Sequence, residues 1–232
     1  GPGRIRFGLG AAEWTMRALG VEPTGWRPYT NTVETLRAMR ALLAGQPLGF
    51  APTTFIASPE VSLDCPIPGP IPIDLGAVNS RMLEAAGALA DGVQLGAITS
   101  VGYTRWATGR IEHGAAVAGR DPAEVLLSAN VLTSVDSDRK AARDAVREVL
   151  AYYLARVEGV VIEESGADPE HIDQVRQVVA RDGVTVGASA VSEHLIDTFS
   201  VAGTPRDVAE GLAIYAEAGL QMPLVWHTLG PN

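Results

Sequence analysis

The chain has 232 residues, 47% of them hydrophobic and 19% charged, enough apolar material for one globular domain with a sizeable core and too much for a disordered or fibrous chain. A formal net charge of −9 argues against a nucleic-acid partner and against an anionic membrane surface. The single cysteine, Cys65, excludes an internal disulfide framework and fits a reducing cytoplasm; with Asp64 and Pro66 beside it, nothing activates it as a nucleophile.

No apolar run is long enough to span a bilayer, and no charged-then-apolar leader opens the chain. Gly1-Pro2-Gly3 runs straight into a strand pattern, and the sequence stops at Asn232 just past another, so both ends read as trimmed. Ile5, Phe7 and Leu9 alternate with Arg4, Arg6 and Gly8, the period of a strand. That strand runs into Gly10-Ala11-Ala12-Glu13-Trp14, a small-residue turn suited to close approach by a large ligand. Asn31, with Glu34 as its capping-box partner, predicts a helix that stops at Gly45 and buries Val33, Leu36, Met39, Leu42 and Leu43. Pro47 to Pro70 is irregular, with a short hairpin expected over Phe50 to Ile56.

Ile71 to Val78 reads as a buried strand, and Asn79 or Ser80 caps the helix that follows through Met82, Leu83, Ala86 and Leu89. Gly92 to Ile98 is the next strand, followed by a helix from about Ser100 to Ala118. Asp121-Pro122 turns the chain into a strand over Val125 to Val135, and a long helix starts near Asp136. Further helices open at Asp168-Pro169, around Val191 to Ile196, and at the capping box Thr204-Pro205-Arg206-Asp207; Met222 to Trp226 is the last strand. Alternating strands and helices predict parallel βα units. Five strands, near residues 4, 71, 92, 125 and 222, fit either an open doubly wound sheet or part of a (β/α)₈ barrel.

The run Pro72-Ile73-Asp74-Leu75-Gly76-Ala77-Val78-Asn79-Ser80-Arg81-Met82-Leu83, ending in Ala86 to Gly92, resembles the characteristic strand–turn–helix–turn of the luciferase-like superfamily. Gly3 to Gly10, Ala115 to Pro122, and Ala202-Gly203-Thr204-Pro205 resemble further segments of that family in the same order. Within it, the sequence is most similar to F420-dependent enzymes of the methylenetetrahydromethanopterin reductase kind. The resemblance implies an α/β fold, a luciferase-like (β/α)₈ TIM-barrel, with residues 1–232 as the C-terminal part of one barrel domain. About five of the eight strands would be present, and the first three would be missing with whatever site residues they carry.

The turn Gly76-Ala77-Val78-Asn79-Ser80-Arg81 lies at the C-terminal end of a strand, where barrel active sites lie. A helix N-terminus there offers free amides and a positive dipole end for a phosphate, with Arg81 adding charge. The resemblance implies the same use, with the cofactor's phosphate seated on this turn. Gly96 and Ala97 end the adjacent strand and are expected to line the same cofactor. Glu13 is the candidate catalytic acid, on the turn where some F420-dependent relatives carry a functional glutamate; Ala12 stands where a glycine is common.

The four histidines, His113, His171, His194 and His227, show no metal-ligand spacing, so no metal site is expected. His113 and His171 read as helix surface residues, His194 as part of a helix start, and His227 as following the final strand at the barrel's active face. Trp14, Trp106, Tyr152 and Tyr153 read as packing residues. No GxGxxG, Walker loop or GxSxG elbow is present.

The resemblance implies an F420-dependent oxidoreductase that transfers hydride between the deazaflavin and an organic small-molecule substrate. Alternatives are an FMN-dependent luciferase-like monooxygenase on the same scaffold, and a non-catalytic truncated barrel or structural subunit. A homodimer that covers unpaired strand edges is expected, as is a cytoplasmic location.

Overall fold

Short apolar strands alternate with amphipathic helices, as the spacing predicts, and every strand pairing described below is parallel. The structure, a computed structural model, describes residues 4–12, 15, 16, 19, 20, 25–65, 67, 69–157 and 159–227. Two compact units result: Gly1–Ala77, Arg81–Val93 and Ile111–Val125 form one, and Val78–Ser80, Gln94–Arg110 and Leu126–Asn232 the other. Among the described residues there are six strands, one more than the sequence pattern shows.

In the first unit, β1 (Phe7–Leu9) lies beside β2 (Ile73–Ala77), with Gly8 opposite Asp74. Arg6 reaches across to Asp74, its Nε donating at 2.7 Å and Nη2 to the other carboxylate oxygen. Helix α1 (Pro28–Leu43) starts a turn earlier than the Asn31 reading, because Pro28 sits in its first turn with φ pre-set. Glu34 therefore makes no capping box. Its carboxylate accepts from the amides and hydroxyls of Thr53 and Thr54, tying the irregular segment to the helix. Residues 53–55 are bends closed by Leu48 N–H to Val61 O and Gly49 N–H to Pro59 O, so Phe50 to Ile56 forms no hairpin. Gly45, at φ 69°, ends α1 as expected.

Leu36, Ile73, Leu75 and Leu83 are all at most 1% exposed in this unit, and each contributes about 1.5–3 kcal/mol by leaving water. Helix α2 (Ser80–Leu89) ends on fixed partners: Arg120 Nη1 donates to the Gly87 and Ala90 carbonyls, each at 2.9 Å. Just beyond it, Asp91 accepts from Ile73 N–H at 2.8 Å and from Arg40 Nη2 at 2.7 Å, which locks the start of β2 to the end of α2.

The strand β3 (Gly92–Leu95) and helix α3 (Val101–Val117) contribute residues to both units. The second unit is built on β4 (Leu126–Val135), which pairs with β5 (Val201–Gly203) from Thr133 and with β6 (Met222–His227) from Ser128 to Thr133. Helix α4 (Arg139–Leu154) begins at Asp138, two residues after the predicted Asp136, and buries Val146, Leu150 and Leu154. After α5 (Gly159–Glu163) come α6 (Pro169–Asp182), capped by Asp168, and the short α7 (Val184–Gly187). Then come α8 (Glu193–Phe199), capped by Ser192, and α9 (Pro205–Glu217), which opens on the predicted Thr204–Asp207 capping box. Arg143 of α4 joins α8 through Glu193 at 2.7 Å and Asp197 at 2.6 Å.

Candidate functional site

The predicted phosphate turn is a continuous run from the end of β2 into the first turn of α2. Gly76 is exposed and Ala77 buried, as alternation along a strand with one covered face requires. A Cβ on Gly76 would come within 3.6 Å of Gly10 Cα and of the Leu9 carbonyl oxygen. The turn after β1 therefore lies against the end of β2, glycine to glycine. Asn79 is exposed and Ser80 half-buried, and α2 begins at Ser80 with no acidic residue in its first turn. Its leading amides lack helical partners, and no carboxylate of its own competes for them.

Arg81 is exposed on that first turn, its guanidinium 3.8 Å from the centre of the Tyr29 ring of α1. A cation over an aromatic face is attracted by the ring's quadrupole and loses freedom of swing. Tyr29 was not singled out in the sequence, because nothing local links residues so far apart in the chain.

In the second unit, Val78 and Gly96 meet: a Cβ on Gly96 would lie 3.1 Å from Val78 Cγ2. The two predicted loops thus touch at these residues. Gly96 is half-buried and Ala97 exposed, both past the end of β3, while Ile98, Thr99 and Ser100 are at most 4% exposed. Tyr103 of α3 is wholly buried, and its hydroxyl donates to the Val78 carbonyl at 2.8 Å. Tyr215 of α9 donates to the Thr99 carbonyl at 3.2 Å, and burial pushes its phenol well above the ordinary range. Neither tyrosine is apparent as a site residue from the sequence, where nothing local links either hydroxyl to these loops.

Glu13 and Trp14 lie outside the described residues. His113 is exposed on α3 as expected, but His171 on α6 is half-buried, with an Nδ1 that has no partner among the described residues. His194 is exposed in the first turn of α8, and His227 closes β6 opposite Thr133. Trp106 stacks on Tyr103 at 5.7 Å, and Tyr153 meets Trp226 edge-on at 5.1 Å, so these aromatics pack as predicted. Cys65 is exposed. Among the described residues, no helix is long and apolar enough to cross a membrane.

Relatives with known activities align along nearly the whole chain. The 5,10-methylenetetrahydromethanopterin reductase of Methanolobus tindarius is 32% identical over 243 residues, covering 99% of this chain and 70% of the relative. The F420-dependent glucose-6-phosphate dehydrogenase of Rhodococcus erythropolis is 27% identical over 242 residues, covering 99% of this chain and 64% of that enzyme. The solved structure of the coenzyme F420 dependent tetrahydromethanopterin reductase from Methanopyrus kandleri has a TM-score of 0.86 and 26% identity, over 99% of this chain and 70% of that one. The open choice between a doubly wound sheet and a barrel is thereby settled: the fold is the (β/α)₈ barrel type, with six strands described here against eight in a complete barrel. The family model for luciferase-like monooxygenases matches residues 1–222, and with that span and these relatives the chain belongs to the luciferase-like monooxygenase family.

Proposed function

We propose that this protein is an F420-dependent oxidoreductase, moving a hydride between the deazaflavin and a small organic substrate, with the Gly76–Arg81 turn receiving the cofactor's phosphate. One observation carries the reading. Relatives that differ in substrate, tetrahydromethanopterin in one and glucose 6-phosphate in another, share dependence on F420. A cofactor common to aligned relatives transfers to this chain, whereas a substrate that varies among them does not.

The residues present fit such a group. Gly76 leaves the backbone bare, the first turn of α2 carries no acid, and Arg81 adds a cation beside the free amides. A phosphate on a helix N-terminus is stabilised by those amides and by the dipole end. When bound, the deazaflavin supplies the hydride chemistry itself. The protein's share is to grip the phosphate through Gly76 to Arg81, to line the cofactor with Gly96 and Ala97, and to manage a proton. Glu13 is proposed as the acid that protonates or orients the substrate.

A second copy is proposed to complete the assembly as a homodimer. Ile5 and Phe7 on and before β1 are 59% and 40% exposed, a cost that burial against another surface would remove. A cytoplasmic location is proposed on the lone, exposed Cys65, which a reducing compartment keeps free.

The test is titration of the protein with F420 and, separately, with FMN, following its tryptophan fluorescence. F420 is expected to bind saturably and FMN not, and Arg81→Ala should raise the F420 Kd about tenfold or more, the loss of one charge-assisted contact. Saturable FMN binding without F420 binding would replace this reading with a flavin monooxygenase. Binding of neither would sink both.

A further inference from the structure

The turn proposed to hold the phosphate is itself held from behind. Tyr103 is 0% exposed and anchored at both ends: its backbone N–H donates to Ser100 Oγ at 3.1 Å, and its ring stacks on Trp106. From that fixed base its hydroxyl donates to the Val78 carbonyl at 2.8 Å, while the Val78 side chain is seated against Gly96. The Val78–Asn79 peptide is trans, so its carbonyl and the Asn79 N–H point in opposite directions. A phenol that grips the carbonyl on one side therefore turns the Asn79 N–H to the other. Asn79 is exposed, and its N–H has no partner among the described residues.

We propose that Tyr103 is a positioning residue for the cofactor: by fixing the Val78 carbonyl it presents the Asn79 amide as a preset donor to the phosphate. The inference rests on the phosphate reading of the turn. Without the hydroxyl, the peptide is free to rotate, and the donor must be ordered at the moment of binding, which weakens affinity for a phosphate-bearing ligand alone.

Tyr103→Phe removes only the hydroxyl. Dissociation constants are measured for the intact wild-type and variant proteins with F420 and with the same deazaflavin lacking its phosphate-bearing tail. The variant should bind F420 about tenfold more weakly and the phosphate-free ligand as before, the loss expected for one hydrogen bond's worth of positioning. An equal change for both ligands, or no change for either, overturns the proposal. If the wild type itself shows no preference for F420 over the phosphate-free form, the phosphate reading of the turn falls, a different failure seen before any variant is made. Should the phenylalanine variant not fold, the wild type still decides. Its Asn79 amide proton resonance should move downfield on adding F420 and stay in place with the phosphate-free ligand. An Asn79 amide that ignores F420 rejects the idea.

Discussion

Glu34 takes hydrogen bonds from both amides and both hydroxyls of Thr53 and Thr54. The Thr54 hydroxyl above all, with Thr53 and the amides, holds its carboxyl down to about 2 from an ordinary 4.5, against the opposing pull of desolvation. A depressed carboxylate pKa contributes stability that is present above the unfolded value and lost as pH falls through the folded one. The thermal midpoint of the wild type should therefore drop as pH falls from about 4.5 towards 2, more steeply than that of Glu34→Gln; parallel curves would show that the clamp is idle. The sequence offered Asn31 and Glu34 at capping-box spacing, and a local rule cannot see partners about twenty residues on. Tyr29 under Arg81 is hidden for the same reason. Tyr29→Leu should weaken F420 binding about two- to fivefold, the worth of an exposed cation–π contact, and less than Arg81→Ala does. Equal losses would mean that the ring touches the ligand itself.

At the scale of elements, two helix glycines set how closely α2 and α3 cross in the first unit. A Cβ on Gly87 would lie 2.1 Å from the Ile111 carbonyl oxygen, and one on Gly114 would lie 2.0 Å from that of Glu84. Backbone cannot yield as a flexible side chain can, so Gly114→Ala should destabilise by about 1–3 kcal/mol or more as the helices are forced apart. Gly109, on the same helix with nothing within 4 Å, is the control. Gly109→Ala should leave stability unchanged or raise it by about 0.4–1 kcal/mol. A denaturant midpoint that moves equally for both would refute the packing argument. Strands and helices with a clear period were legible in the sequence, among them the capping box at Thr204. Val201–Gly203 was not, because three residues show no alternation. A glycine that permits a helix crossing looks, in sequence, like any glycine inside a helix.

For the whole molecule, the order of the motifs identified the barrel type and the F420 branch where periodicity alone left an open sheet in play. Of the candidate site, the positions of the turn and the Gly96 loop in the fold were legible; the tyrosines that hold them were not, since burial and hydrogen-bond direction are set only once the chain has folded. A net charge of −9 would repel a phosphate-bearing cofactor at a distance, opposing the close-range attraction proposed for Arg81. Added salt should therefore speed F420 association in stopped-flow measurements by screening that long-range field; a rate that falls with salt would mean that the local cation governs capture. Tyr215 has a further consequence. At 3% exposure, with its hydroxyl on the Thr99 carbonyl and its pKa raised by burial, it resists ionisation at a pH where an exposed phenol has already lost its proton. Stability must then fall as pH rises above about 10, because the unfolded chain gives up that proton first. In an alkaline titration followed by phenolate absorbance, Tyr215 would stay dark until the second unit opens, a built-in optical marker of unfolding that Tyr215→Phe would erase.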